Sequence, residues 1–187
     1  MDRSGANFNR SLSMIEKRLG ANLLPVQLPL GSEASYEGII DLIENKAWRF
    51  DDNPDSEPQE IAIPEQEQAL CAESRQALIE KLAEGDDQII AAYLGGSSIT
   101  ASELKLALRR VTLANKGVPI LCGSALRNKG IRPLLDAIVS YLPSPLDMPP
   151  VKAIDTRLGT EVLRPAKDEA PFSALAFKVV TDPFVGR

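Results

Sequence analysis

Histidine is absent from the chain's 187 residues. Ser-His-Asp and Cys-His nucleophile pairs and Cys/His zinc sites are absent with it. The two cysteines, Cys71 and Cys122, fall on different expected elements and lack the spacing of a disulfide framework. They read as small buried residues of a reducing cytoplasm. Aromatic residues make up 5% and the formal charge is −5, so the chain has no stacking platform for single strands and a poor electrostatic grip on phosphate backbones. No run approaches the ~18 consecutive apolar residues of a membrane span, and no basic-then-apolar leader opens the sequence. No G-x-x-x-x-G-K-[ST] phosphate loop occurs. These absences argue against direct RNA binding and against self-contained catalysis.

What is present supports a folded core: 44% of residues are hydrophobic, and the length fits one or two domains. The stretch Gly117–Gly130 organises the reading. Val118-Pro119-Ile120-Leu121 is a short apolar run of strand type, and it empties into Cys122-Gly123-Ser124-Ala125. Beyond Gly130 the apolar positions Ile131, Leu134, Leu135, Ile138, Val139 and Leu142 follow the i, i+3, i+4, i+7 rule of one helix face. Strand, small-residue loop and helix form the βα unit in which α/β folds bring backbone to a ligand at the strand's C-terminal end. Any tight βα turn also favours small residues.

Taken in order, residues 7–19 predict a helix with Phe8, Leu12, Ile15 and Leu19 on one face, Lys17 and Arg18 in the last turn and Gly20 at C′. From Leu23 the period becomes two: Leu24, Val26, Leu28 and Leu30 share a face, and Pro25, Gln27 and Pro29 point the other way. Two prolines confine this run to an edge strand or an extended lead-in. Residues 37–43 and 46–50 predict two strands joined around Glu44-Asn45, with Trp48 and Phe50 covering one face. Residues 51–58 form an acidic loop, and 60–63 add a last short strand. A helix is expected from Pro64 to about Ala83, with Leu70, Ala77, Leu78 and Leu82 inward. A second spans 86–94, and a third opens on the Thr100–Glu103 capping box and turns Leu104, Leu108 and Val111 to one side. Residues 151–170 read as loosely structured linker, and Phe172–Val180 alternates as a strand.

Three separated stretches carry a resemblance. GSALRNKG at 123–130, with I-x-PLLDAI after it, resembles the last nucleotide-binding motif of the elongation factor G family, ribosomal translocase GTPases. Met1–Phe8, MDRSGANF, is similar to the segment after Asn-Lys in that family's guanine-recognition motif. Phe172–Arg187 resembles the opening strand of the family's second, barrel domain. The resemblance implies an internal fragment of α/β class, a remnant of a P-loop GTPase domain. Its expected parts are a GTPase segment (1–20), an inserted subdomain of a small antiparallel sheet plus three helices (21–116), the last GTPase strand and helix (117–142), a linker (143–170) and an isolated barrel strand (171–187).

It also implies a site. Asp2, which by itself could merely favour a helix N-terminus, would accept two hydrogen bonds from guanine. The Ser124 and Ala125 backbone would meet the guanine O6, with Leu126 packing beside the base. GTP or GDP with Mg²⁺ would be the parent's cofactor, bound stably only by the intact parent. Glu73, Glu80, Glu84 and Asp87 form a run of acids whose ordinary reading is a solvated helix face. The resemblance places Glu80, Glu84 and Asp87 against the basic C-terminal domain of the ribosomal stalk protein. The expected parent is a cytoplasmic GTPase that drives translocation on the ribosome. The rival readings are a stand-alone acidic interaction module that never meets nucleotide, and a recycling or ribosome-protection relative.

Overall fold

A computed structural model describes residues 1–53 and 56–179 and divides the chain into two units, 1–142 and 143–187. The first unit opens with helix α1 (Phe8–Leu19). The Asn7 side chain caps it by accepting from the Arg10 N–H, and Gly20 closes it in the left-handed region at φ 61°. Phe8, Leu12 and Ile15 are half-buried, while Leu19 is exposed.

The extended run after Asn22, expected as an edge strand or an extended lead-in, is two strands in two sheets. Strand β1 (Leu23–Pro25) pairs in parallel with β6 (Val118–Ile120), and β2 (Gln27–Leu30) is an edge of a four-stranded antiparallel sheet. That sheet continues through β3 (Gly38–Asp41), β4 (Lys46–Arg49) and β5 (Gln59–Ile61) in the order β2-β3-β4-β5. Val26 is the junction: its N–H donates to the Ile120 carbonyl and its own carbonyl accepts from the Leu42 N–H, both at 3.0 Å. Pro25 and Pro119 are tolerated because a two-stranded ladder leaves positions whose N–H is not needed. Gln27, on the face opposite the leucines by alternation, is a buried polar residue. Its Oε1 accepts from the Cys122 N–H at 3.4 Å, so the register change at Val26 turns a polar side chain toward the loop after β6.

Three helices follow: α2 (Glu65–Gly85), α3 (Asp87–Leu94) and α4 (Ala101–Leu113). Thr100 and Glu103 form the expected capping box at the head of α4, and Leu104, Ala107, Leu108 and Val111 are buried. In α2 the inward face differs from the expected one. Cys71, Leu78, Leu82 and Ala83 are buried, whereas Leu70 and Ala77 are exposed. The cause is Arg75, which lies on the inward face and donates to the Leu42 and Ile43 carbonyls at the β3–β4 turn. A guanidinium on the packed side hides the apolar period from a sequence reading.

The main core joins β1–β4 to these helices through Leu24, Val26, Leu28, Ile40, Leu42, Leu78, Leu82, Leu104, Leu108 and Val111. Each such side chain contributes about 1.5–3 kcal/mol when fully buried. A smaller cluster of Ile39, Phe50 and Cys122 lies against Met1, Phe8 and Trp48, which is the aromatic face expected of the sheet. Asp86 stands out as a buried carboxylate at 6% exposure. It accepts from the Gln88 and Ile89 N–H groups at the head of α3 and from both Nε (2.5 Å) and Nη2 (3.0 Å) of Arg110 on α4. Both cysteines are free and buried, and burial pushes the Cys122 thiol up to about 12, so neither is a ready nucleophile.

Helix α5 (Ile131–Tyr141) follows the predicted period but buries little of it. Tyr141 is buried, while Leu134, Leu135, Ile138, Val139 (82% exposed) and Leu142 keep substantial exposure. Amphipathic spacing sets which face is apolar; whether a neighbour covers it is a tertiary matter.

In the second unit, residues 151–170 are not the unstructured linker expected. They hold an antiparallel hairpin of β7 (Val151–Ile154) and β8 (Glu161–Arg164), with Asp155 and Gly159 making the turn. The alternation there is short and interrupted by charge, which masks strand character. The strand expected over Phe172–Val180 does not form at 172–179, where no ladder partner among the described residues stands beside the backbone. Val180 and residues 181–187 lie outside the described residues.

Candidate functional site

The loop after β6 is closed on itself. The Ser124 N–H donates to the Lys129 carbonyl at 2.8 Å and the Lys129 N–H donates back at 3.0 Å, enclosing a turn in which the Asn128 N–H donates to the Ala125 carbonyl. Two glycines make this closure possible. A Cβ at Gly123 would stand 2.7 Å from the Lys129 carbonyl oxygen, and Gly130 holds φ +80° with the Cys122 oxygen 2.9 Å from where a Cβ would be. Helix α5 starts directly after Gly130, so strand, turn and helix follow one another without a long connection.

Against this loop lies the N-terminal segment. The Ser124 side chain hydrogen-bonds the Asp2 carboxylate, and Arg127 Nε stands 3.3 Å from Asp2 Oδ2. Together these hold the Asp2 carboxyl below the usual carboxylate range, the Ser124 bond being the largest cause and the Arg127 charge a minor one. The carboxylate is therefore ionised at neutral pH and acceptor-only.

The structure brings Asp2, Ser124 and Ala125 to one place, with different atoms in use than the sequence indicates. The Ser124 N–H is committed to Lys129, so Ser124 acts through its hydroxyl on Asp2. The Ala125 N–H has no partner among the described residues and is a backbone donor left for a ligand. Leu126 is exposed beside it.

Charged neighbours that sequence reading missed complete the site. Lys129, with a buried side chain, reaches Asp52 at 3.0 Å, and Arg127 approaches the same Asp52 at 4.0 Å. Arg132 pairs with Glu57. The acidic loop thus neutralises the basic loop, a pairing that no local spacing announces. Tyr36, 3% exposed, carries a hydroxyl without a hydrogen-bond partner among the described residues. Burial first, then the charges of Cys122 and Asp2, push its ionisation far above the ordinary range.

The acids on the helices lie elsewhere. Glu80 and Glu84 are exposed one turn apart on α2, and Asp87 is exposed at the start of α3; Glu73 is exposed nearer the start of α2. Glu80 accepts from the Tyr93 hydroxyl at 3.0 Å, and the Gln76 amide donates to the same carboxylate at 2.9 Å. No group of three or more His, Cys, Asp or Glu able to hold a metal occurs among the described residues. No helix there is long and apolar enough to cross a membrane.

Fold and site define a class: a mixed α/β protein in which a parallel strand pair delivers a self-closed small-residue loop to a carboxylate from a distant segment. No protein-family model matches the chain. Over all 187 residues it is 48% identical to an elongation factor G of Dehalococcoides mccartyi and 48% identical to that of Mycoplasma pneumoniae. A crystal structure from Thermus thermophilus is similar at TM-score 0.64 and 29% identity, over 85% of this chain and 25% of that one. The chain belongs to the elongation factor G family, as a segment spanning 27% of the length of the curated relatives it matches.

Proposed function

We propose that this chain supplies the base-reading half of a guanine-nucleotide pocket in a ribosomal GTPase of the elongation factor G type. The whole protein would hydrolyse GTP in the cytoplasm to move tRNA and mRNA through the ribosome. The observation that most supports this reading is the meeting of Asp2 with Ser124 beside an Ala125 N–H that has no partner among the described residues. An ionised Asp2 takes the N1–H and exocyclic amine of guanine, a pair of donors that adenine does not offer, and the Ala125 N–H donates to O6. Phosphates and Mg²⁺ need a phosphate loop and switch segments, which this sequence does not contain. The chain by itself is therefore expected to bind GTP or GDP weakly and not to hydrolyse it.

The test is Asp2→Asn in the whole factor. Charge-assisted hydrogen bonds contribute about 1.5–3 kcal/mol each, so GDP affinity should fall by about tenfold or more. Xanthine nucleotide, which offers a carbonyl where guanine has its amine, should gain relative to GDP. Unchanged discrimination between the two bases would refute the reading.

A second surface is proposed for the insert. Glu80, Glu84 and Asp87, exposed together near the α2–α3 junction, suit a weak, salt-sensitive contact with a basic partner, the C-terminal domain of the ribosomal stalk protein. Charge reversal at Glu80 and Glu84 that leaves stalk-dependent GTPase stimulation intact would end this proposal.

A further inference from the structure

The turn between β2 and β3 is built more firmly than a connection requires. Gly31 turns the chain at φ +78°, the Ser32 N–H donates to Ser35 Oγ at 3.2 Å, and Ser35 Oγ donates to the Ser32 carbonyl at 2.7 Å. The buried Tyr36 roots the turn from below, and its N–H donates to the Glu33 carbonyl.

At the tip, Glu33 holds φ +52°, a left-handed conformation that a side chain with a Cβ adopts only at a cost. That conformation is used on both sides of Asp2. The Glu33 N–H donates to the Met1 carbonyl at 3.0 Å, and the Glu33 carboxylate accepts from the Gly5 N–H at 2.8 Å. Arg10 Nη2 donates to the Gly5 carbonyl at 2.5 Å, so the far end of the segment is gripped from two directions. Residues 1–5 have no strand or helix of their own to set the Asp2 carboxylate. Met1 is also held by its amine, which donates to the Gly123 carbonyl at 2.6 Å, but Glu33 of the β2–β3 turn is the one residue that bonds both Met1 and Gly5 among the described residues.

We propose that Glu33 is a positioning residue for base recognition: by clamping Met1 and Gly5 it holds Asp2 in register with the Ser124–Ala125 loop. This rests on the base-reading role proposed above for Asp2. It makes the sheet of the insert part of the specificity apparatus, although Glu33 touches no base. An insert displaced by a partner would change base affinity through this turn.

The test compares GDP with inosine diphosphate, which lacks only the exocyclic amine, in the whole factor. Three variants are measured: Asp2→Ala, Glu33→Gly and Glu33→Gln. Glu33→Gly suits the left-handed backbone and keeps the N–H to Met1, removing only the carboxylate from Gly5. Its preference for GDP over inosine diphosphate should fall about three- to tenfold, in line with one hydrogen bond lost, with inosine diphosphate, which keeps only the N1–H bond to Asp2, weakened less than GDP. Glu33→Gln keeps an acceptor and should restore the preference.

A Glu33→Gly factor with full preference, while Asp2→Ala loses it, overturns the positioning role and leaves base reading intact. Equal losses for both nucleotides would make Glu33 merely structural and also overturn it. If Asp2→Ala keeps the preference, base reading itself fails and the role of Glu33 fails with it.

Discussion

Replacing Asp86 by alanine should be among the most destabilising single changes at a polar position of this chain. The carboxylate is 6% exposed and satisfies two demands at once. It caps α3 through the Gln88 and Ile89 N–H groups, both at 3.1 Å, a role worth about 1 kcal/mol. It also receives the Arg110 guanidinium in a two-bond fork at 2.5 and 3.0 Å, which ties α3 to α4. Charge-assisted bonds contribute about 1.5–3 kcal/mol, but the Arg110 side chain is 41% exposed and solvent screens its share. The expected loss is about 3 kcal/mol at pH 7.

Asp86→Asn, which keeps an oxygen for the cap, should cost less. The pH dependence has a definite sign. Arg110 first, with the α3 N–H groups adding to it, holds the Asp86 carboxyl below its ordinary value. Its contribution is therefore complete above the unfolded value of about 3.9 and declines as pH falls through the lower folded value. Urea unfolding followed by the fluorescence of Trp48, which lies in the same unit, measures both effects. A loss for Asp86→Ala below about 1 kcal/mol, or a difference from wild type that stays constant from pH 7 into strong acid, would refute the reasoning.

Tyr36→Phe should be neutral or stabilising by about 1 kcal/mol, because it removes a buried hydroxyl without a partner among the described residues; the same unfolding assay would expose a clear loss as a contradiction. Gly123→Ala should cost about 1–3 kcal/mol, since the new Cβ would stand 2.7 Å from the Lys129 backbone oxygen. Hydrogen exchange should then show the Ser124 and Lys129 amides exposed while the α4 amides stay protected. Equal protection of the loop in both proteins would mean that the turn tolerates a side chain.

Elements whose signals are local were legible. The Asn7 cap and the left-handed Gly20 of α1, the Thr100–Glu103 box of α4 and the turn at Glu44-Asn45 all depend on residues within about four positions of one another. The βα unit around Gly123 was legible for the same reason: apolar run, small residues and helical period lie side by side in the sequence. The candidate site was legible only in part. Asp2, Ser124 and Ala125 came from motif resemblance, whereas Arg127, Lys129, Asp52 and Glu33 did not, because their partners lie 28 or more residues away.

What the sequence alone determined about this protein is its set of helices and turns, its apolar faces and its family motifs, since these follow from short-range geometry and side-chain chemistry. Tertiary structure decided the rest. It split the run after Asn22 between two sheets at Val26, turned Gln27 inward and put Arg75 on the packed face of α2. It paired β7 with β8 across a stretch that reads as linker. It also committed the Ser124 N–H to Lys129, leaving the Ala125 N–H beside it without a partner among the described residues. Each outcome depends on which distant backbone group or side chain arrives to complete a hydrogen bond or cover a face, and that is a property of the assembled chain.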